Sequence, residues 1–176
     1  MIELIIGGSK SGKSMYSQHR AKELFGGQGR MIYLATMHPA DREDRERIRR
    51  HVQDREGWGF ETLEWERNIA EAAETLCPED TVLLDSITAL LSNEMFVEMN
   101  FFPHCGSVIL EGLRSLSQKV RHLLLVSDDI FHNAALYDSY TTAYLRTLGH
   151  LHQQISLFSQ QVTELRCGLS TIHVPS

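Results

Sequence analysis

The sequence predicts a single α/β domain, a mostly parallel central sheet flanked by helices, and two observations carry that expectation. Short apolar runs, Leu4-Ile5-Ile6, Met31-Ile32-Tyr33-Leu34, Val82-Leu83-Leu84 and Leu123-Leu124-Leu125-Val126, read as strands buried on both faces. Longer stretches of helical period separate them, which is the alternation that parallel sheets require. A third observation narrows the class: the first strand runs into Gly7-Gly8-Ser9-Lys10-Ser11-Gly12-Lys13-Ser14, a glycine-rich turn opening a helix. Strand, Gly-x-x-x-x-Gly-Lys-Ser and helix in that order predict a P-loop NTPase domain of RecA-like type spanning residues 1–176.

In chain order, Ile2 to Ile6 reads as the first strand, and the helix after the turn runs from about Lys13 to Leu24, where Gly26-Gly27 stops it. Further helices are expected over Asp41 to Arg55, Asn68 to Leu76, Ile87 to Met99, Ser107 to Val120 and Tyr137 to Gln160. Asn100 to Gly106 is the most loop-like stretch. Strands near Val162 to Arg166 and Thr171 to Val174 close the pattern, with Gly168 at the bend between them. No internal repeat or linker rich in Pro, Gly or Ser divides the chain.

Composition excludes several classes of function. With 176 residues, 42% hydrophobic and 23% charged, the chain can bury a real core. Its net charge of -6 opposes broad binding to nucleic acid or anionic lipid, so phosphate affinity must be local. Cys77, Cys105 and Cys167 lie far apart and form no Cys-x-x-Cys pair, which reads as reduced, buried thiols. No apolar run reaches the roughly 20 residues of a membrane span, and a cytoplasmic location is expected. None of the nine histidines forms His-Glu-x-x-His, and His150 and His152 point to different helix faces, against a zinc site. Trp58, Phe60 and Trp65 read as packing around a short strand, not as a base-stacking platform.

The glycine-rich turn carries the first chemistry. Its glycines let backbone N–H groups and the helix N-terminus close around a phosphate, Lys13 adds a point charge, and Ser14 is placed to ligate Mg²⁺. The binding set is therefore Gly7, Gly8, Ser9, Lys10, Ser11, Gly12, Lys13 and Ser14. Thr81-Val82-Leu83-Leu84-Asp85 supplies a buried strand ending in a carboxylate, a second Mg²⁺ ligand, which is also in place to cap a helix beginning near Ile87. On a helix Arg47, His51 and Arg55 share one face at i, i+4 and i+8. Two cations beside an imidazole would attract a polyphosphate and keep the ring neutral and nucleophilic; a solvated charged helix has the same composition.

Together, Gly7 to Ser14, Tyr33-Leu34-Ala35-Thr36, Asp41-x-Glu43, Arg47-Ile48-x-x-His51-x-x-x-Arg55, Thr62-x-Glu64 and Leu83-Leu84-Asp85-Ser86-Ile87-Thr88 with Asn93 closely resemble the bifunctional adenosylcobinamide kinase/adenosylcobinamide-phosphate guanylyltransferase family of cobalamin biosynthesis. Leu124-Leu125-Val126-Ser127 and Leu145-Arg146-x-x-Gly149-x-x-x-Gln153 extend the resemblance more loosely over the second half. The resemblance implies phosphorylation of adenosylcobinamide with ATP or GTP at the P-loop. It further implies attack of His51 on the α-phosphate of GTP, giving a GMP-histidine that passes GMP to adenosylcobinamide phosphate and yields adenosylcobinamide-GDP. It also implies that Ala35, Thr36, Met37, Val52, Gln53, Asp54, Arg55, Glu64 and Asp85 line the nucleotide site, with Lys13 and His51 catalytic and the protein a homo-oligomer. The chain departs from the family where Asp128-Asp129-Ile130-Phe131 stands in place of the frequent Asn-Glu-Val-Gly, and His152-Gln153 in place of Asn-Gln. A monofunctional P-loop kinase and a non-catalytic nucleotide-binding regulator are the competing readings.

Overall fold

The computed structural model describes residues 1–38, 46, 49, 52, 53, 55–131 and 137–175. Seven strands form one sheet in the order β3-β2-β4-β7-β1-β8-β9, with β1 Ile2–Gly7, β2 Met31–Ala35, β3 Phe60–Glu64, β4 Thr81–Asp85, β7 His122–Asp128, β8 Gln161–Arg166 and β9 Leu169–His173. Every pairing is parallel except β8 with β9, which form an antiparallel hairpin at one edge. Strand β7 lies between the P-loop strand β1 and β4, as in a RecA-like sheet. The apolar runs are central because both their faces are covered.

Alternate residues of each strand point to opposite layers. On one side Leu4, Leu34, Leu84 and Leu125 meet α2 Ile69–Ala72, α3 Ile87–Met95, α4 Gly106–Lys119 and α5 Ser139–Ser156 through Ile69, Leu90, Leu113 and Leu151. On the other, Ile5, Tyr33, Leu83 and Val126 pack on Ala21 of α1 Lys13–Phe25. All the parallel strands consequently end on one side of the domain, where Gly7, Ala35, Glu64, Asp85 and Asp128 are the last residues of their strands. In parallel α/β sheets that edge is where ligands bind.

Three expectations from the sequence are corrected. The helix expected over Ile87 to Met99 stops at Met95, and Phe96–Val97 (β5) pairs with Asn100–Phe101 (β6) in a small hairpin. Glu98 and Met99 turn the chain with positive φ, and the Phe96 and Phe101 rings meet at 5.6 Å, so the apolar residues that continued the helical period instead form a cross-strand pair. The helix expected over Asn68 to Leu76 is a single turn followed by a 3₁₀ turn over Ala73–Thr75. The thiols are not buried: Cys77 and Cys167 are exposed and Cys105 is half-buried, with burial and the nearby Glu94 pushing the Cys105 thiol up. No helix among the described residues is long and apolar enough to cross a membrane.

Candidate active site

The phosphate loop is built by close backbone approach. A Cβ on Gly7 would collide with Ser11 Oγ and lie 2.8 Å from the Leu165 carbonyl, so any larger residue would force the loop off β8. Gly12 holds φ at 96°, a left-handed conformation that glycine adopts without a steric penalty, and α1 starts directly after it. The β8–β9 turn fastens the loop from outside, where Gly168 N–H donates to the Ser11 carbonyl at 3.0 Å. The mouth of the helix is thereby fixed before any ligand arrives.

Lys13 extends from α1 across the loop. Its ammonium donates to the Gly8 carbonyl at 3.1 Å and pairs with Asp128 Oδ1 at 2.7 Å. Asp128 Oδ2 accepts from Thr88 Oγ1 at 2.8 Å, and Thr88 shares a 2.8 Å hydrogen bond with Ser86 Oγ. Ser86, not Asp85, caps α3 by accepting from Ala89 N–H, which corrects the capping role expected of Asp85. Asp85 instead turns to Tyr33, whose hydroxyl donates to its Oδ2 at 2.6 Å. The Arg55 guanidinium lies 3.5 Å over the Tyr33 ring and donates to Thr62 Oγ1 at 3.3 Å. A buried, stacked guanidinium has a fixed plane, the condition for aiming it at an anion.

These groups face one open cavity of about 650 Å³, large enough for a nucleotide. Of the residues assigned from the sequence, Lys13, Ser14, Ala35, Met37, Val52, Arg55, Glu64 and Asp85 line it. Gly7 to Gly12 form the loop beside it. Thr36 sits elsewhere: it is fully buried, its hydroxyl donating to the Ser86 carbonyl at 2.8 Å and accepting from Ser86 N–H at 2.7 Å, so its side chain ties β2 to the end of β4. Gln53 is exposed and does not line the cavity. Arg47, His51 and Asp54 lie outside the described residues, as does most of the helix expected from Asp41 to Arg55; Glu46, Arg49, Val52 and Gln53 are helical, and Arg55 falls in the turn that follows.

Several wall residues escaped the sequence assignment. Tyr33 alternates with Ala35 along β2, and that period of two could have placed it on the wall. Asp128 ends an apolar strand just as Asp85 does, so the rule that found one carboxylate would have found both. His38 and Glu66, paired at 2.8 Å, and Arg49 have no comparable local signal. Behind the wall, His152 shares a 2.7 Å hydrogen bond with Ser127 Oγ and meets the Phe131 ring edge-on. Burial pulls it down to about 4 against the opposing pull of Asp129 and Asp128, so it is neutral at physiological pH.

A parallel sheet whose first strand enters a glycine loop, with a lysine and a serine at the helix mouth and carboxylates on neighbouring strand ends, defines a P-loop nucleotide-binding domain. Residues 3–172 match the family model described as cobinamide kinase / cobinamide phosphate guanyltransferase, and the chain belongs to that family. It is 31% identical over 96 residues to the bifunctional adenosylcobalamin biosynthesis protein CobU of Salmonella typhimurium, an alignment covering 54% of this chain and 51% of that protein. The protein of the same name from Escherichia coli is 34% identical over 98 residues, again 54% of this chain and 51% of the relative. The chain thus spans about half the length of the curated relatives it matches. Among solved structures, the flagellar accessory protein FlaH of Methanocaldococcus jannaschii superposes with a TM-score of 0.44 at 13% identity, covering 97% of this chain and 75% of that one.

Proposed function

We propose that this chain is a two-step transferase of cobalamin biosynthesis, phosphorylating adenosylcobinamide with ATP or GTP and then transferring GMP from GTP to adenosylcobinamide phosphate through His51. The observation that carries it is the single cavity in which Lys13, Ser14, Arg49, Arg55, Asp85 and Asp128 converge. His51 falls in sequence between Arg49 and Val52, two residues of that cavity's wall.

In the first step the loop holds the β- and γ-phosphates, and Lys13 follows the charge as the γ-phosphoryl group moves to the corrinoid hydroxyl. Ser14 and Asp85 offer hydroxyl and carboxylate oxygens on the same wall, a hard donor set suited to a Mg²⁺ that keeps several waters. Bound there, Mg²⁺ would offset charge on the phosphate oxygens. In the second step a neutral imidazole nitrogen of His51 attacks the α-phosphorus, pyrophosphate departs, and the resulting GMP-histidine is attacked by a phosphate oxygen of the acceptor. Arg55, held flat on Tyr33, is fixed to steady that polyphosphate.

Incubation with Mg²⁺ and GTP labelled at the α-phosphate tests the reading. The label is expected to stay on denatured wild-type protein, acid-labile and base-stable, and to map to His51. In His51→Ala the label and adenosylcobinamide-GDP formation should disappear while kinase turnover remains measurable. A wild-type protein that takes up no label would reduce the proposal to a plain kinase, and a label on His38 would move the nucleophile.

A further inference from the structure

Both proposed reactions need an acceptor that the cavity cannot hold. Its volume of about 650 Å³ suits a nucleotide, and a corrinoid is a broad macrocycle that cannot share it, so only the arm bearing the reacting hydroxyl can enter. The macrocycle itself needs a surface beside the mouth. One is built from the β5–β6 hairpin and the first turn of α5. Phe96 and Phe101 face each other across the hairpin at 5.6 Å, and Phe101 meets the Tyr140 ring edge-on at 4.8 Å, so three rings make one continuous surface. Phe96 and Tyr140 are exposed, and Met99 at the tip of the hairpin is wholly so. That tip is costly as built: Glu98 and Met99 both hold positive φ, in a two-residue turn that favours Asn and Gly. A large apolar side chain held out in water on such a turn marks a contact surface, not a requirement of the fold.

We propose that this surface is the platform for the corrinoid ring of the acceptor, a site that rests on the function proposed above. Two observations select that occupant. The first is continuity with the phosphate loop. Thr88 lines the cavity and holds Asp128 Oδ2 at 2.8 Å, beside Lys13, and the Tyr144 hydroxyl donates to the Thr88 carbonyl at 2.8 Å. Tyr140 is one turn earlier on the same face of α5, roughly 6 Å further out. The rings therefore begin close beyond the cavity wall, within the span of an amide-linked arm that carries a hydroxyl to the γ-phosphate. The second observation is charge. Adenosylcobinamide is a cation, because its cobalt carries more charge than the corrin ring and the adenosyl carbon offset. Two carboxylates flank the rings: Glu98 stands at the hairpin tip, and Asp138 caps α5 two residues before Tyr140. Aromatic faces add their own attraction for a cation. A second copy of this chain, with its net charge of -6, would bring like charges together on the same surface.

Direct binding separates this site from the reactions it serves. Adenosylcobinamide binding is measured by equilibrium dialysis and corrinoid absorbance for wild type, the double variant Met99→Ser/Tyr140→Ser and Glu98→Lys. Each is measured beside α-labelling by MgGTP, which needs no corrinoid. The double variant should bind adenosylcobinamide at least about tenfold more weakly and show a similar rise in its KM in the kinase reaction, with the nucleotide KM unchanged. Glu98→Lys should weaken binding by about threefold, an effect that shrinks at high salt. Unchanged corrinoid binding in the double variant overturns the site and leaves the function standing. So do equal losses of binding and labelling, which would trace the defect to the nucleotide cavity. A change in oligomeric mass by light scattering that accompanies the lost binding would make the surface a contact between copies, and this also overturns the proposal. A wild-type protein that binds no adenosylcobinamide removes the acceptor of the proposed function itself, and the site with it.

Discussion

Two cation–carboxylate pairs sit at opposite edges of the same parallel sheet, one where its strands begin and one where they end, and they are built for different work. At the end where the strands begin, Arg30 precedes β2 and Asp80 precedes β4. Asp80 is 1% exposed and its oxygens are filled: Arg30 donates from N at 3.2 Å, Nε at 3.2 Å and Nη2 at 2.7 Å, and Cys77 N–H donates at 2.8 Å. At the end where the strands finish, Lys13 and Asp128 meet through one contact of 2.7 Å, at the wall of a 650 Å³ cavity. A planar guanidinium satisfies a carboxylate at several points and stays; an ammonium is a point charge that can change partner. The first pair is saturated and structural, whereas the second is open to a ligand.

The largest effect that would break this contrast belongs to Lys13→Ala. On the proposed function both the kinase and the guanylyl-transfer rates should fall by about a thousandfold or more, since the lysine would carry charge through each reaction. The urea midpoint should stay close to wild type, because Lys13 contacts the loop and cavity and not the core. Near-normal turnover, or a large loss of stability, would place Lys13 with the structural pair. Asp80→Ala should behave in the opposite way, costing about 4 kcal/mol of stability by leaving the Arg30 and Cys77 donors without their acceptor, with the activity of the folded fraction unchanged. Burial raises Asp80, but the Arg30 and Cys77 hydrogen bonds outweigh it and hold the carboxyl below its ordinary range. Its contribution is thus present above the unfolded carboxylate value and lost as pH falls through the lowered folded one.

The contrast also explains what could be read from the sequence. The phosphate loop is local: Gly7 to Ser14 must take up its shape within eight residues, so its spacing is its signature. Strand identity was legible because strands covered on both faces are apolar at every position, as Val82-Leu83-Leu84 is. The hairpin at Phe96 to Phe101 was not legible, because its apolar residues fit the period of the preceding helix until a turn at Glu98 and Met99 breaks it. Contacts that join distant parts of the chain had no signature either. The stacking of Arg55 on Tyr33 exists because β3 lies beside β2, and the bridge from Thr36 to Ser86 because β4 lies on the other side of β2. Asp128 was visible as the end of a strand, but its partner Lys13 is brought to it by the parallel pairing of β1 with β7.

The smallest effect concerns the layer behind the open pair, where His152 supports β7 one residue before Asp128. Its ring is largely buried against Phe131 and hydrogen-bonded with Ser127, and burial lowers it from 6.5 to about 4 despite Asp129 and Asp128 nearby. The unfolded chain therefore takes up a proton as pH falls below 6.5, whereas the folded chain resists until about 4. Stability is full above that window and declines through it, by about 2 kcal/mol at pH 5 for a group shifted this far. His122 moves in the same direction, driven by burial and then by the N-terminal ammonium, Arg121 and Arg20, so the wild-type curve alone does not isolate His152. The difference between wild type and His152→Asn does: urea midpoints measured from pH 7 to pH 5 should fall less steeply in the variant, by about 2 kcal/mol over the range. Parallel curves would mean that the ring behind Asp128 is solvated or already protonated in the folded protein, and that the open pair stands on a wetter support than its geometry indicates.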